Sequence, residues 1–162
     1  MPKPGEHIVV HMVDEVEVGQ QFMRSRLSWP LHITLVRWFN VGDVSACEER
    51  FEKLASDSSP FASKVGAEAE FGSDSKTTVN VMADPEPFRA LHNRLVQAVR
   101  DSGGNFESEE WFGDAYKPHI THHGEHRRYE DDIELVDSFH LVRVEEGRLC
   151  TIVGHFALGG RP

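Results

Sequence analysis

A chain of 162 residues suits one domain spanning 1–162, built in two lobes, and is long enough to bury a hydrophobic core without disulfide or metal staples. Its 39% hydrophobic and 27% charged content is that of a soluble globular protein, and no run of about 18 apolar residues offers a membrane span. A formal net charge of −10 opposes a broad electrostatic footprint on long nucleic acid, though not a small phosphate ligand held by a few local donors.

The first fifteen residues, MPKPGEHIVVHMVDE, lack the apolar core and small-residue cleavage site of a secretory signal. Cys47 and Cys150 form no metal-ligand spacing and read as free thiols of a reducing compartment. A cytoplasmic monomer is expected.

In chain order, residues 7–13 are β-branched and apolar and predict a strand. Residues 14–30 predict a short helix or loop ending at Pro30, and residues 31–39 a second strand. Asp43 is a candidate N-cap for a helix whose Val44, Cys47, Phe51, Leu54 and Ala55 recur at helical spacing. Residues 61–71 and 77–83 predict a hairpin about the turn GSDSK. The clearest helix follows, with Asp84 as cap, Pro85 in its first turn, Gly103 past its end, and Phe88, Leu91, Leu95 and Val99 on one face. A polar loop carrying Trp111, Phe112 and Tyr116 leads to a short strand, KPHITHH, and a charged loop. Two further strands close the chain as an antiparallel hairpin about Glu146 and Gly147. The order β-β-α-β-β-α-β-β-β shows no regular βα alternation, so an α+β class with mainly antiparallel sheet is expected.

The pattern contains a long-period echo. Strand, connection, proline and His-Ile-Thr occur at His32–Thr34 and again at His119–Thr121. In a strand, residues i and i+2 share a face. Each triplet therefore presents an imidazole and a hydroxyl together, with Ile33 or Ile120 turned the other way into packing. Facing each other across a cleft, two such pairs form a kit for phosphodiester chemistry. A neutral imidazole takes a proton from attacking water, and a protonated one supplies the leaving oxygen. The threonine hydroxyls donate to the non-bridging oxygens. No metal or nucleotide cofactor is needed.

The paired HITL and HITH segments resemble the two H-x-T-x motifs of the two-histidine (2H) phosphoesterase superfamily, which includes 2′-5′ RNA ligase-like proteins and cyclic phosphodiesterases. The resemblance spans most of the chain. It implies a bilobal fold of two mainly antiparallel sheets with pseudo-two-fold symmetry, helices outside and an active-site cleft between the lobes. It also implies a metal-independent phosphodiesterase with His32, Thr34, His119 and Thr121 as the catalytic set, His119 leaning to base and His32 to acid. The implied substrate is an RNA end, a small nucleotide or a cyclic oligonucleotide, for instance a 2′,3′-cyclic phosphate. This sequence departs from the family pattern at His122, where an apolar residue is common, and lacks an arginine immediately after the second motif. Reversible 2′-5′ RNA joining and non-catalytic binding of a nucleotide or RNA end are the alternatives on the same fold.

Alternation places His123 on the face of His119 and Thr121, as a phosphate or ribose contact, and His122 on the other. Phe112, Trp111 and Tyr116 are candidates to stack on a base, as is Trp29, whereas Trp38 reads as core. Arg24, Arg26 and Arg37 lie near the first motif, and Lys117, Arg127 and Arg128 near the second; Arg37 and Lys117 are the candidate phosphate contacts. A histidine–metal hydrolase centred on residues 119–126 is the competing reading, but the segment looks extended and carries no known zinc spacing. His7, His11, His92, His140 and His155 read as structural or surface residues.

Overall fold

A computed structural model describes residues 2–25, 28–72 and 77–160. The chain runs β1 (His7–Met12), β2 (Gln21–Met23), β3 (His32–Asn40), α1 (Val44–Ser56), β4 (Phe61–Phe71), β5 (Thr77–Met82) and α2 (Glu86–Asp101). It continues through β6 (Asn105–Phe106), β7 (His119–Thr121), β8 (Ile133–Val136), β9 (Ser138–Val144) and β10 (Leu149–Ala157). Arg26 and the turn residues 73–76 lie outside the described residues.

The helices start where their caps dictate. The Asp43 carboxylate accepts from the Ser45 N–H at 3.0 Å, and the Asp84 carboxylate from the Glu86 N–H at 3.1 Å. Each satisfies a backbone donor that the first helical turn leaves unpaired. Phe51 and Leu54 of α1 and Phe88, Leu91, Leu95 and Val99 of α2 pack on the sheet in one apolar core.

Hydrogen bonding orders the strands β2-β10-β9-β1-β3-β7-β5-β4-β8, with β6 added to β3. The order is symmetric about its middle: β1 then β3 on one side, β5 then β7 on the other. The two motif strands are neighbours at that seam, joined antiparallel through Ile33 and Ile120, both fully buried. The lobes are thus two halves of one hydrogen-bonded path. Each half is antiparallel and carries one His-Ile-Thr triplet at the junction.

Besides the two-residue β6 in the stretch read as a polar loop, two features differ from the sequence reading. Residues 14–30 hold a three-residue strand, β2, on the β10 edge, too short for alternation to reveal it. Residues 133–144 are two strands rather than one, broken at Asp137. β8 pairs with β4 at one edge of the path, whereas β9 lies between β1 and β10. A ring nitrogen of buried His11 on β1 lies 2.7 Å from a Glu134 carboxylate oxygen on β8, tying the two lobes together.

The seam depends on packing, so truncating Ile120 to alanine should lower unfolding free energy by about 2–5 kcal/mol. Truncating Ile133, which is 65% exposed, should change it by less than about 0.5 kcal/mol. Urea unfolding of the two variants makes the comparison.

Candidate active site

The Ile33–Ile120 pair directs both isoleucines into the core and both flanking positions of each strand to the opposite face. Antiparallel direction sets His32 toward Thr121 and Thr34 toward His119. The two histidines are then diagonal neighbours, separated by about 7–8 Å between Cα atoms in a regular ladder. The two imidazoles share that face, and His119 acts electrostatically on His32. All four side chains are half-buried.

Each imidazole is oriented by the same local device. Nδ1 of His32 lies 2.9 Å from the Pro30 carbonyl oxygen, and Nδ1 of His119 lies 2.7 Å from that of Lys117. A carbonyl only accepts, so each Nδ1 carries the proton and each neutral ring leaves Nε2 as its lone-pair nitrogen. The bonded carbonyl belongs in both cases to the residue two positions earlier. Each ring also rests on an aromatic neighbour: Trp29 against His32 with centroids 4.4 Å apart, and Phe71 against His119 at 4.7 Å.

Both rings are driven toward the neutral form. Burial is the main cause at His32, lowering its pKa to about 4 against the upward pull of the Pro30 bond, with His123 and His119 pushing it further down and Asp14 opposing them. Burial also lowers His119, helped by the Arg37 guanidinium and opposed by the Lys117 bond. The protein's own electrostatics therefore mark neither ring as the acid.

Arg37 reaches this face because β3 is irregular. Strict alternation would put residue 37 with Ile33 and Leu35 against the helices. The β1–β3 register shifts between Val9 and Val10, so Leu35 and Val36 both turn inward, fully buried. Arg37 then emerges exposed and close enough to act electrostatically on His119. Such irregularities re-aim side chains at sites. His123 is buried in a small bridge with His126 and acts electrostatically on His32. His122 faces away and lies 2.6 Å from Asn80 Oδ1 through its Nε2. Arg127, also on that side, pairs with Glu68 and stacks on Tyr129.

The aromatic candidates divide differently from expectation. Tyr116 is 7% exposed; its hydroxyl donates to the Thr34 carbonyl at 2.7 Å and its ring stacks on His92. Phe112 packs edge-on against His92 and Phe106 in the helix-side core. Trp111 is exposed, on a loop that docks on α2. A loop leading into a motif strand need not lie on the face that strand presents. Lys117 is exposed two positions before His119. Phe71 escaped the sequence reading because only pairing of β4 with β5 and of β5 with β7 brings it beside His119. Asp14, the other group overlooked, accepts from the Leu31 N–H at 2.8 Å, lies 2.8 Å from His126 Nε2 and acts electrostatically on His32. Among the described residues, no three His, Cys, Asp or Glu side chains converge to hold a metal ion.

Comparison with known proteins adds to this geometry. The model of the 2′-5′ RNA ligase superfamily matches residues 4–147. A crystal structure of a phosphoesterase superposes with a TM-score of 0.58 at 20% identity, covering 96% of this chain and 99% of that one. LigT of E. coli, complexed with 3′-AMP, superposes with a TM-score of 0.57 at 20% identity, covering 96% and 99%. The protein TT0787 of Thermus thermophilus gives 0.58 at 20% identity, covering 82% and 80%. Comparison with curated proteins gives no match.

Burial of neutral histidines sets an acid limit to stability. His7, His32 and His140 all have folded-state pKa values of about 4, burial being the main cause. The unfolded chain binds these protons from about pH 6.5 downward. Stability should be fully present above that pH and decline until about pH 4. Urea midpoints at pH 7.5 and pH 5 should differ in that direction, and less so in His32→Gln.

Proposed function

The chain belongs to the 2′-5′ RNA ligase superfamily, and on that premise we propose that it is a phosphodiesterase opening a 2′,3′-cyclic phosphate on a nucleotide or RNA end by paired-histidine acid–base catalysis. The observation that carries this reading is the matched anchoring of the two imidazoles. Each Nδ1–H is held by a carbonyl, which leaves both Nε2 atoms free of that task, on one face across the seam.

In the reaction, water attacks phosphorus and gives a proton to one neutral Nε2. The bond from phosphorus to the 3′ oxygen breaks, and that oxygen takes the proton carried by the other imidazole, leaving a 2′-phosphate. Protonation of that second ring needs an anion, because burial by the protein favours the neutral form of both rings. The bound phosphodiester supplies the negative charge and so raises the pKa of the ring beside it. Thr34, Thr121 and Arg37 donate to the non-bridging oxygens. The proposed ligand, a small nucleotide, agrees with the complexes of the LigT neighbour with 3′-AMP, ATP and NADP+.

His32→Ala and His119→Ala should each reduce turnover of adenosine 2′,3′-cyclic phosphate by about 10²–10⁴-fold or more. Thr34→Val or Thr121→Val should cost about 10²-fold. Chelators should leave the rate unchanged. Nucleotide binding without turnover of any cyclic phosphate or 2′-5′ dinucleotide would favour a binding protein instead.

The electrostatic argument makes a separate prediction. Inorganic phosphate should shift the titration of one of the two imidazoles upward, as followed by the Cε1–H resonances of His32 and His119. Unchanged titration of both rings on phosphate binding would contradict substrate-assisted protonation.

A further inference from the structure

A cavity of about 790 Å³ is lined from both halves of the sheet. Asp14, Glu15 and Glu17 come from the connection after β1, and Glu134 and Asp137 from β8 and the break before β9. No lysine or arginine stands among the described residues of this lining. Asp14 and Glu134 are engaged by His126 and His11. Glu15, Glu17 and Asp137 are exposed, and their carboxylates form no ion pair among the described residues. Like charges gathered in this way repel one another and raise the local concentration of cations.

His140 of β9 supplies a second, independent observation. It lines the same cavity and is only 6% exposed. Its Nδ1 is buried without a hydrogen-bond partner. Buried polar atoms are rarely left unpaired. Burial, with His155 and His11 beside it, lowers its pKa to about 4. The ring is therefore uncharged near neutral pH and offers a lone pair rather than a positive charge. Carboxylates around an uncharged imidazole call for a ligand that is both a cation and a hydrogen-bond donor.

We propose that this cavity binds a linear polyamine, a chain of ammonium groups joined by methylenes. A metal ion does not match it, because no three His, Cys, Asp or Glu side chains of the described residues converge on one point. The negative charge is instead spread over two segments of chain, so the matching cation carries its charges at intervals. Ammonium groups pair with Glu15, Glu17 and Asp137, and one donates to the His140 ring. The methylenes between them lie on Met12, Val13, Val16 and Leu135, the apolar part of the lining. The two acidic segments belong to opposite halves of the sheet, so the bound polyamine links those halves. The inference uses neither His-Ile-Thr motif and stands or falls apart from the phosphodiesterase reading.

The test is calorimetric titration of the full chain with spermidine, which should bind saturably at one molecule per chain. The double variant Glu15→Gln/Glu17→Gln should weaken binding about three- to thirtyfold. Glu49→Gln/Glu52→Gln removes the same charge from exposed positions of α1, and should leave affinity within about twofold because salt screens distant charges. His140→Phe keeps a flat ring without a lone pair and should weaken binding about tenfold or more. Equal weakening by the two double variants would mean that spermidine answers only to the net charge of −10, and would overturn the proposal. Absent or non-saturable binding to the wild type would overturn it as well. Magnesium chloride alone should give no saturable heat. Saturable magnesium binding that Glu15→Gln/Glu17→Gln abolishes would make this a metal site and end the polyamine reading. If His140→Phe does not fold, the two double variants still decide the matter.

Discussion

The antiparallel pairing of Ile33 with Ile120 is the contact on which the rest of this structure depends. It joins the two halves of the sheet, and both side chains are fully buried. Because strand side chains alternate, burying these two isoleucines forces His32, Thr34, His119 and Thr121 to the opposite face. The same antiparallel direction crosses the triplets, each histidine toward the other strand's threonine. Core packing and the geometry of the candidate site are thus two consequences of one pairing. A shift of one residue in that register would turn these imidazoles and hydroxyls into the core.

A second layer of constraint acts through the backbone. The carbonyls of Pro30 and Lys117 hold the two imidazoles in one tautomer. Many metal-free acid–base sites use a carboxylate for this purpose, which would raise the imidazole pKa. A carbonyl orients the ring with a weaker upward effect, so at His32 burial prevails and favours the neutral ring. The acidic residues of the chain, which give it a net charge of −10, gather in part around a cavity lined by Asp14, Glu15, Glu17, Glu134 and Asp137. A second cavity is walled by apolar Ala69, Phe71, Val81 and Pro118, with Arg89 and Lys117 in its lining.

Much of this was legible in the chain before folding. Helix limits followed from Asp43 and Asp84, because capping is a local interaction between residues two or three apart. The repeated His-Ile-Thr signalled a paired site, since β alternation needs no tertiary information to assign faces within one strand. Alternation failed at Arg37, where the register shift opposite Val9 and Val10 adds a residue to β3 and reverses the face. It failed again at Asp137, where one apparent strand crosses from one half of the sheet to the other. The aromatic loop also misled. Tyr116 and Phe112 lie close to the second motif in sequence, but they fill the core on the helix side.

The sequence by itself determined the α+β class, the helices, the two motif strands and the pairing of an imidazole with a hydroxyl in each. These are local properties, governed by caps, by side-chain period and by residue chemistry within a few positions. Only the tertiary structure decided that the two strands are neighbours, that Phe71 and Trp29 flank the imidazoles, and that Arg37 joins them. It also decided which cavity is acidic and which is apolar. These are properties of strand order and register, which bring together residues separated by tens of positions and which no single segment encodes.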